Sequence, residues 1–126
     1  MIANKGTNRV KIVLIGDGGV GKTNIALRFA GVDFKEKCKQ RFMAEWVERE
    51  ISIDGKKIRF RLWDTHGGER YRALARLYCD QAHVIILVYD LTNKESFNYI
   101  KNFMKEYFPD NIKKDNQKDN PNPKCK

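Results

Sequence analysis

No two of the three cysteines, Cys38, Cys79 and Cys125, form a CxxC pair. This excludes a disulfide framework or a zinc site as the organising element and points to a reducing compartment. No apolar run approaches the length of a membrane span, and no N-terminal stretch has the layout of a signal peptide, so a cytoplasmic location is expected. The chain ends in KCK, which is not a CaaX prenylation signal. The formal charge is +9, yet the basic residues are dispersed among acids, as in KKIRFR after EREIS. No basic helix with interleaved aromatics occurs, so no nucleic-acid partner is expected. There is no internal repeat.

A length of 126 residues allows one domain, small for an α/β nucleotide-binding fold. The composition is globular over residues 1–108. From Pro109 to Lys126 the only aliphatic residue is Ile112, so residues 109–126 are expected to form a disordered polar tail.

What the sequence does contain is concentrated near the N-terminus. RVKIVLIG, residues 9–16, reads as a buried strand. The stretch GDGGVGKT, residues 16–23, fits G-x-x-x-x-G-K-[ST], and KTNIALRFA after it has Ile25, Ala26 and Phe29 at helical spacing. Strand, glycine loop and helix in that order make a phosphate cradle, with loop N–H groups turned inward and the helix dipole behind them. Its candidate nucleotide-binding residues are Asp17, Gly18, Gly19, Val20, Gly21, Lys22, Thr23 and Asn24. Lys22 would reach the β- and γ-phosphates, and the Thr23 hydroxyl would ligate Mg²⁺. A chance match in a glycine-rich turn is the alternative.

Further along, WVEREISID and KKIRFRLWD flank Asp54-Gly55, a hairpin signal. Asp64 ends the second of these strands, where an acid can hold the Mg²⁺ hydration shell opposite Thr23. ERYRALARLYC reads as a helix. AHVIILVYD reads as a strand buried on both faces. SFNYIKNFMKEYF, with apolar residues at 97, 100, 103, 104, 107 and 108, reads as an amphipathic helix capped by Ser96.

GDGGVGKT, WDTHGGERYRAL and AHVIILVYDLTNKESF together resemble a Ras-superfamily small GTPase, most of all its Rab branch, from about Arg9 to Phe108. The resemblance implies an α/β P-loop NTPase fold of the small-GTPase type with sheet order 2-3-1-4-5-6. The chain supplies strands 1–4 and helices 1–3, without strands 5 and 6. It implies GTP or GDP and Mg²⁺ as ligands, with Thr23 and Asp64 on the metal side. Phe34 falls where the family stacks an aromatic on guanine, and Gly67 where a backbone N–H meets the γ-phosphate. Trp46, Trp63 and Tyr78 fall on three aromatic positions that many Rab proteins present to effectors. Rab-type effectors and exchange factors at the cytosolic face of endomembranes are the partners it implies.

Three departures matter. Arg41 stands where the first switch carries its Mg²⁺-ligating threonine, and no threonine occurs between Thr23 and Thr65. Gly68 stands where the glutamine that orients the attacking water belongs, and His66 nearby is read as a surface residue rather than its substitute. The guanine-reading NKxD motif is not found; Asn93-Lys94-Glu95 is a lookalike in the wrong place. The expectation is therefore nucleotide binding with slow or absent hydrolysis, or else a truncated pseudo-GTPase acting as an interaction module without nucleotide. A general P-loop ATPase or kinase is the third reading. A sheet ending at VIILVY exposes a flat edge; either the sequence is a fragment, or a partner or self-association covers that edge.

Overall fold

The computed structural model describes residues 8–31 and 45–110. Four strands form one sheet in the order β2-β3-β1-β4, the order that the resemblance implies for the first four. Strand β1 spans Asn8–Ile15, β2 Glu45–Ile53, β3 Lys56–Asp64 and β4 Val84–Leu87; helix α1 spans Lys22–Phe29, α2 Arg72–Cys79 and α3 Lys94–Tyr107. A 3-10 turn at Glu69–Tyr71 leads into α2.

The hairpin between β2 and β3 forms where Asp54-Gly55 placed it, both residues left-handed at φ 49 and 74. A two-residue turn of that hand matches the twist of the strands it joins. Strands β3 and β4 both run parallel to β1, with Leu14 opposite Asp64 on one side and Ile86 on the other. All three strands therefore end at the same rim of the sheet, where ligands collect in open parallel sheets.

Alternation along β1 splits the core in two. Val13 and Ile15 face α2 and α3 and join Ala75, Tyr99, Ile100 and Phe103. Leu14 faces α1 and joins Ala26 and Leu62. Both clusters grip β1, so its C-terminal end, which becomes the glycine loop, is held from both sides.

Strand β4 corrects the expectation of burial on both faces. Ile85 and Leu87 pack against the α3 cluster, whereas Val84 and Ile86 are 44% and 39% exposed. An unbroken apolar run reports that a strand is apolar, not that both of its faces are covered. Helix α1 covers the β1–β3 side of that face and leaves β4 half open.

The cap of α3 is a second correction. Asn93 takes the position, its side chain accepting from Glu95 N–H at 3.0 Å and Ser96 N–H at 3.4 Å. Ser96 lies inside the helix, fully buried, where its hydroxyl donates to Asn93 O at 2.7 Å. Asn93→Ala is expected to cost about 1 kcal/mol and Ser96→Ala to cost more by stranding the Asp90 N–H that Ser96 Oγ accepts at 2.9 Å. Urea unfolding of the two variants checks the order.

Candidate nucleotide site

The loop from Gly16 to Gly21 turns off β1 and opens α1. Its last glycine takes the helix N-cap at φ 100, and Ile25 N–H closes the first helical bond onto Gly21 O at 3.0 Å. At its first glycine the loop is pinned to the sheet: a Cβ on Gly16 would overlap the Val88 carbonyl, and Val88 N–H is bonded to Ile15 O at 2.8 Å. The close approach of loop and β4 is what requires glycine there.

Lys22 runs back under the loop. Its ammonium donates to Gly16 O at 2.8 Å and Asp17 O at 2.7 Å, and the residue is only 5% exposed. Burial pushes its pKa below the usual lysine value, with the charges of Asp64 and Asp17 acting the other way. A cation held this way, with little water around it, presents nearly its full charge to an anion entering the loop.

Thr23, in the first turn of α1, and Asp64, the last residue of β3, meet across the rim. The Thr23 hydroxyl donates to Asp64 Oδ2 at 2.6 Å. These two hard oxygen donors are 41 residues apart in sequence and are brought together by the parallel pairing of β1 with β3. The pair suits Mg²⁺, which binds one or two protein oxygens and completes its octahedron with water and phosphate. Among the described residues no group of three or more His, Cys, Asp or Glu is placed to hold a metal ion.

Beyond Asp64 the chain crosses above the glycine loop. Thr65 is buried and donates its hydroxyl to Leu14 O at 2.5 Å, tying the start of this second loop to β1. The sequence does not show this: nothing local in WDTHGGER marks the Thr65 hydroxyl as turned into the sheet. Gly67 follows, packed on the backbone of Asp17 and Gly18. The His66 ring stacks on Tyr71 with centroids 5.1 Å apart. Asn24 lies half-buried in the first turn of α1. Phe34, Arg41, Cys38 and Cys125 lie outside the described residues.

The three aromatics singled out in the sequence form one strip. Trp46 and Trp63 are cross-strand partners with ring centroids 6.4 Å apart, and Tyr78 of α2 lies 5.7 Å from Trp63. Trp46 is 45% exposed, and the Arg61 guanidinium sits 4.0 Å from its ring centroid. Arg61 is itself held by Glu48 at 3.0 Å.

A β-loop-α unit with a buried lysine beneath the loop and a threonine–aspartate pair at its mouth defines the P-loop nucleotide-binding class of fold. Comparison with known proteins narrows it. The Ras family model matches residues 11–118, and the chain belongs to that family. It is 42% identical over 100 residues to the Ras-related protein Rab-21 of Geodia cydonium, covering 79% of this chain and 44% of that protein. It is 41% identical over 107 residues to the Ras-related protein RABD2a of Arabidopsis thaliana, covering 82% and 53%. The GTP-binding protein YPT53 of Saccharomyces cerevisiae is 41% identical over 100 residues, covering 79% and 46%. The chain spans about half the length of the relatives it matches.

Proposed function

We propose that this chain is a Rab-type GTP-binding protein that holds Mg²⁺ and GDP or GTP at the Gly16–Thr23 loop and turns GTP over slowly or not at all. The observation that carries the reading is the convergence of Lys22, Thr23 and Asp64 on one rim of the sheet. Loop N–H groups and the Lys22 ammonium would take the phosphates, and Thr23 and Asp64 would hold the metal, which supplies charge neutralisation between the phosphates. Slow turnover follows from Gly68, which has no side chain with which to orient a water. One of the relatives, YPT53, carries GTP binding in its name, and by resemblance Phe34 would add a stacking contact to the base.

The strip Trp46–Trp63–Tyr78 supports a second role on the same molecule, the docking of Rab-type effectors. An exposed Trp46 edged by Arg61 and backed by the partly buried Trp63 and Tyr78 has the composition of a binding hot spot. Among the described residues no helix is long and apolar enough to cross a membrane, and action at the cytosolic face of endomembranes is proposed by analogy with the Rab relatives.

The test is to purify the chain in Mg²⁺, denature it and identify released nucleotide by ion-pair chromatography. Stoichiometric guanine nucleotide is the expected result. A folded, soluble preparation that neither carries nor takes up nucleotide would sink the proposal and leave the aromatic strip as the functional surface.

A further inference from the structure

At the end of the sheet away from the glycine loop, a side chain completes the ladder between β1 and β4. The register starts at Ile12 opposite Val84, and just before it His83 N–H donates to Lys11 O at 2.9 Å. A parallel ladder continued one step further would give the Lys11 N–H the carbonyl of Gln81. The turn between α2 and β4 interrupts the strand there, with Gln81 left-handed at φ 56. The His83 ring supplies the acceptor instead: Lys11 N–H donates to His83 Nδ1 at 2.9 Å. An Nδ1 that accepts belongs to a neutral ring with its proton on Nε2.

Lys11 is held at its other end too. Its ammonium donates to the carbonyl of Asp80, the C-cap of α2, at 2.7 Å and lies 5.4 Å from the centroid of the Trp63 ring. Trp63 in turn lies 5.7 Å from Tyr78, in the last turn of α2. One lysine therefore ties the end of α2 to β1 and to two members of the aromatic strip, and the His83 ring fixes the backbone of that lysine. We propose that His83 is a proton-responsive clasp that holds the end of α2, and with it Tyr78, against β1 and Trp63. A proton on Nδ1 sets one donor against another, so the Lys11 N–H loses its acceptor, and it adds a cation beside the Lys11 ammonium. Acid then releases the turn and loosens Tyr78 from Trp63.

The ionisable side chains around the clasp are Lys11 and Arg9 on β1, Asp80 in the turn, Cys79 at the end of α2 and Tyr107 of α3, which shares a cluster with Cys79 and Ala82. Burial pushes the Cys79 thiol and the Tyr107 hydroxyl up. Histidine is the side-chain type that ordinarily changes charge between about pH 5 and 8. The inference goes beyond the nucleotide reading and does not depend on it.

The test follows two NMR signals from about pH 8 to about pH 5: the protection factor of the Lys11 amide and the indole N–H resonance of Trp63. In the wild-type chain protection of Lys11 is expected to fall by about tenfold on acidification, the scale of one lost hydrogen bond, and the Trp63 signal to move with the same midpoint. His83→Asn keeps an acceptor oxygen at the Nδ1 position and takes up no proton, so both signals should stay at their neutral values throughout. His83→Phe, which has the ring without an acceptor, should show the acid values at every pH; if it does not fold, the wild-type and His83→Asn series carry the comparison. The chain's other histidine, His66, is present in all three, so its titration cancels. Equal acid loss of Lys11 protection in His83→Asn and wild type, or no loss in wild type, would overturn the clasp. A Trp63 signal that stays still while Lys11 loses protection would overturn its link to the aromatic strip.

Discussion

Lys22→Ala is expected to weaken nucleotide binding by about a hundredfold or more, because each charge-assisted bond to a phosphate contributes about 1.5–3 kcal/mol and Lys22 is placed to make two. The ammonium already satisfies itself on the Gly16 and Asp17 carbonyls, so the competing reading is a lysine that only braces the loop. The pH dependence of stability separates the two. Burial lowers the folded-state pKa of Lys22 below its ordinary 10.5, so the unfolded chain holds this proton more tightly than the folded one. Stability from this residue therefore rises with pH across the window between the lowered value and 10.5, and the full burial penalty is present below it.

Bound phosphate reverses the sign of Lys22's surroundings by placing anions next to the ammonium, which raises its pKa and removes that alkaline gain. Urea unfolding across the alkaline range, with and without Mg²⁺–GDP, should show the gain only in the free protein, and in neither state of Lys22→Ala. A merely bracing lysine predicts the same alkaline gain with and without nucleotide, and binding that falls only as far as the fold does.

The parts of this molecule that were legible in the sequence are those whose cause is local or periodic. Val10 to Ile15 is aliphatic apart from Lys11 and leads into Gly16, so it reads as a strand running into a turn. Asp54-Gly55 between alternating runs left the chain no other easy way to reverse. Thr23 opposite Asp64 was readable from a phosphate loop followed by an acid at a strand end; the parallel pairing that brings them together leaves no trace in their spacing along the chain. Illegible were the features decided by what lies across space. Val84 and Ile86 have the same chemistry as Ile85 and Leu87, yet α1 does not reach over them. Asn93 and Ser96 are both good cap residues three positions apart. Asn93 takes the position because the Ser96 hydroxyl is turned inward to Asp90 O and Asn93 O at 3.2 and 2.7 Å. The Gly67 contact needs two loops that are 49 residues apart to be superposed, and no pattern in WDTHGGER announces it.

Helix α3 gives the second large effect, and it turns on the same limit. Apolar residues at 97, 100 and 103 fall at helical spacing, so the sequence ranks Phe97 and Phe103 alike. The structure does not: Phe103 is fully buried, while Phe97 is 41% exposed. Phe103 packs in the cluster with Val13, Ile15 and Ala75 and lies 4.7 Å from the Tyr107 ring. Phe97 instead rests 5.1 Å from the ring of Tyr89, itself 41% exposed, in the connection between β4 and α3.

Phe103→Ala should therefore cost about 3–5 kcal/mol, because it removes a large buried side chain and leaves a cavity walled by β1, which cannot collapse without moving the phosphate loop. Small domains have about 5–15 kcal/mol of stability in all, so at the low end of that range this variant is left with about 0–2 kcal/mol, and nucleotide binding falls with the fold. Phe97→Ala should cost about 1 kcal/mol, the part of its area that is buried plus one aromatic contact, and leave binding unchanged. Chemical denaturation of both variants in Mg²⁺–GDP decides it. Equal costs would mean that the Tyr89–Phe97 pair is covered in solution, so that Phe97 is as buried as Phe103.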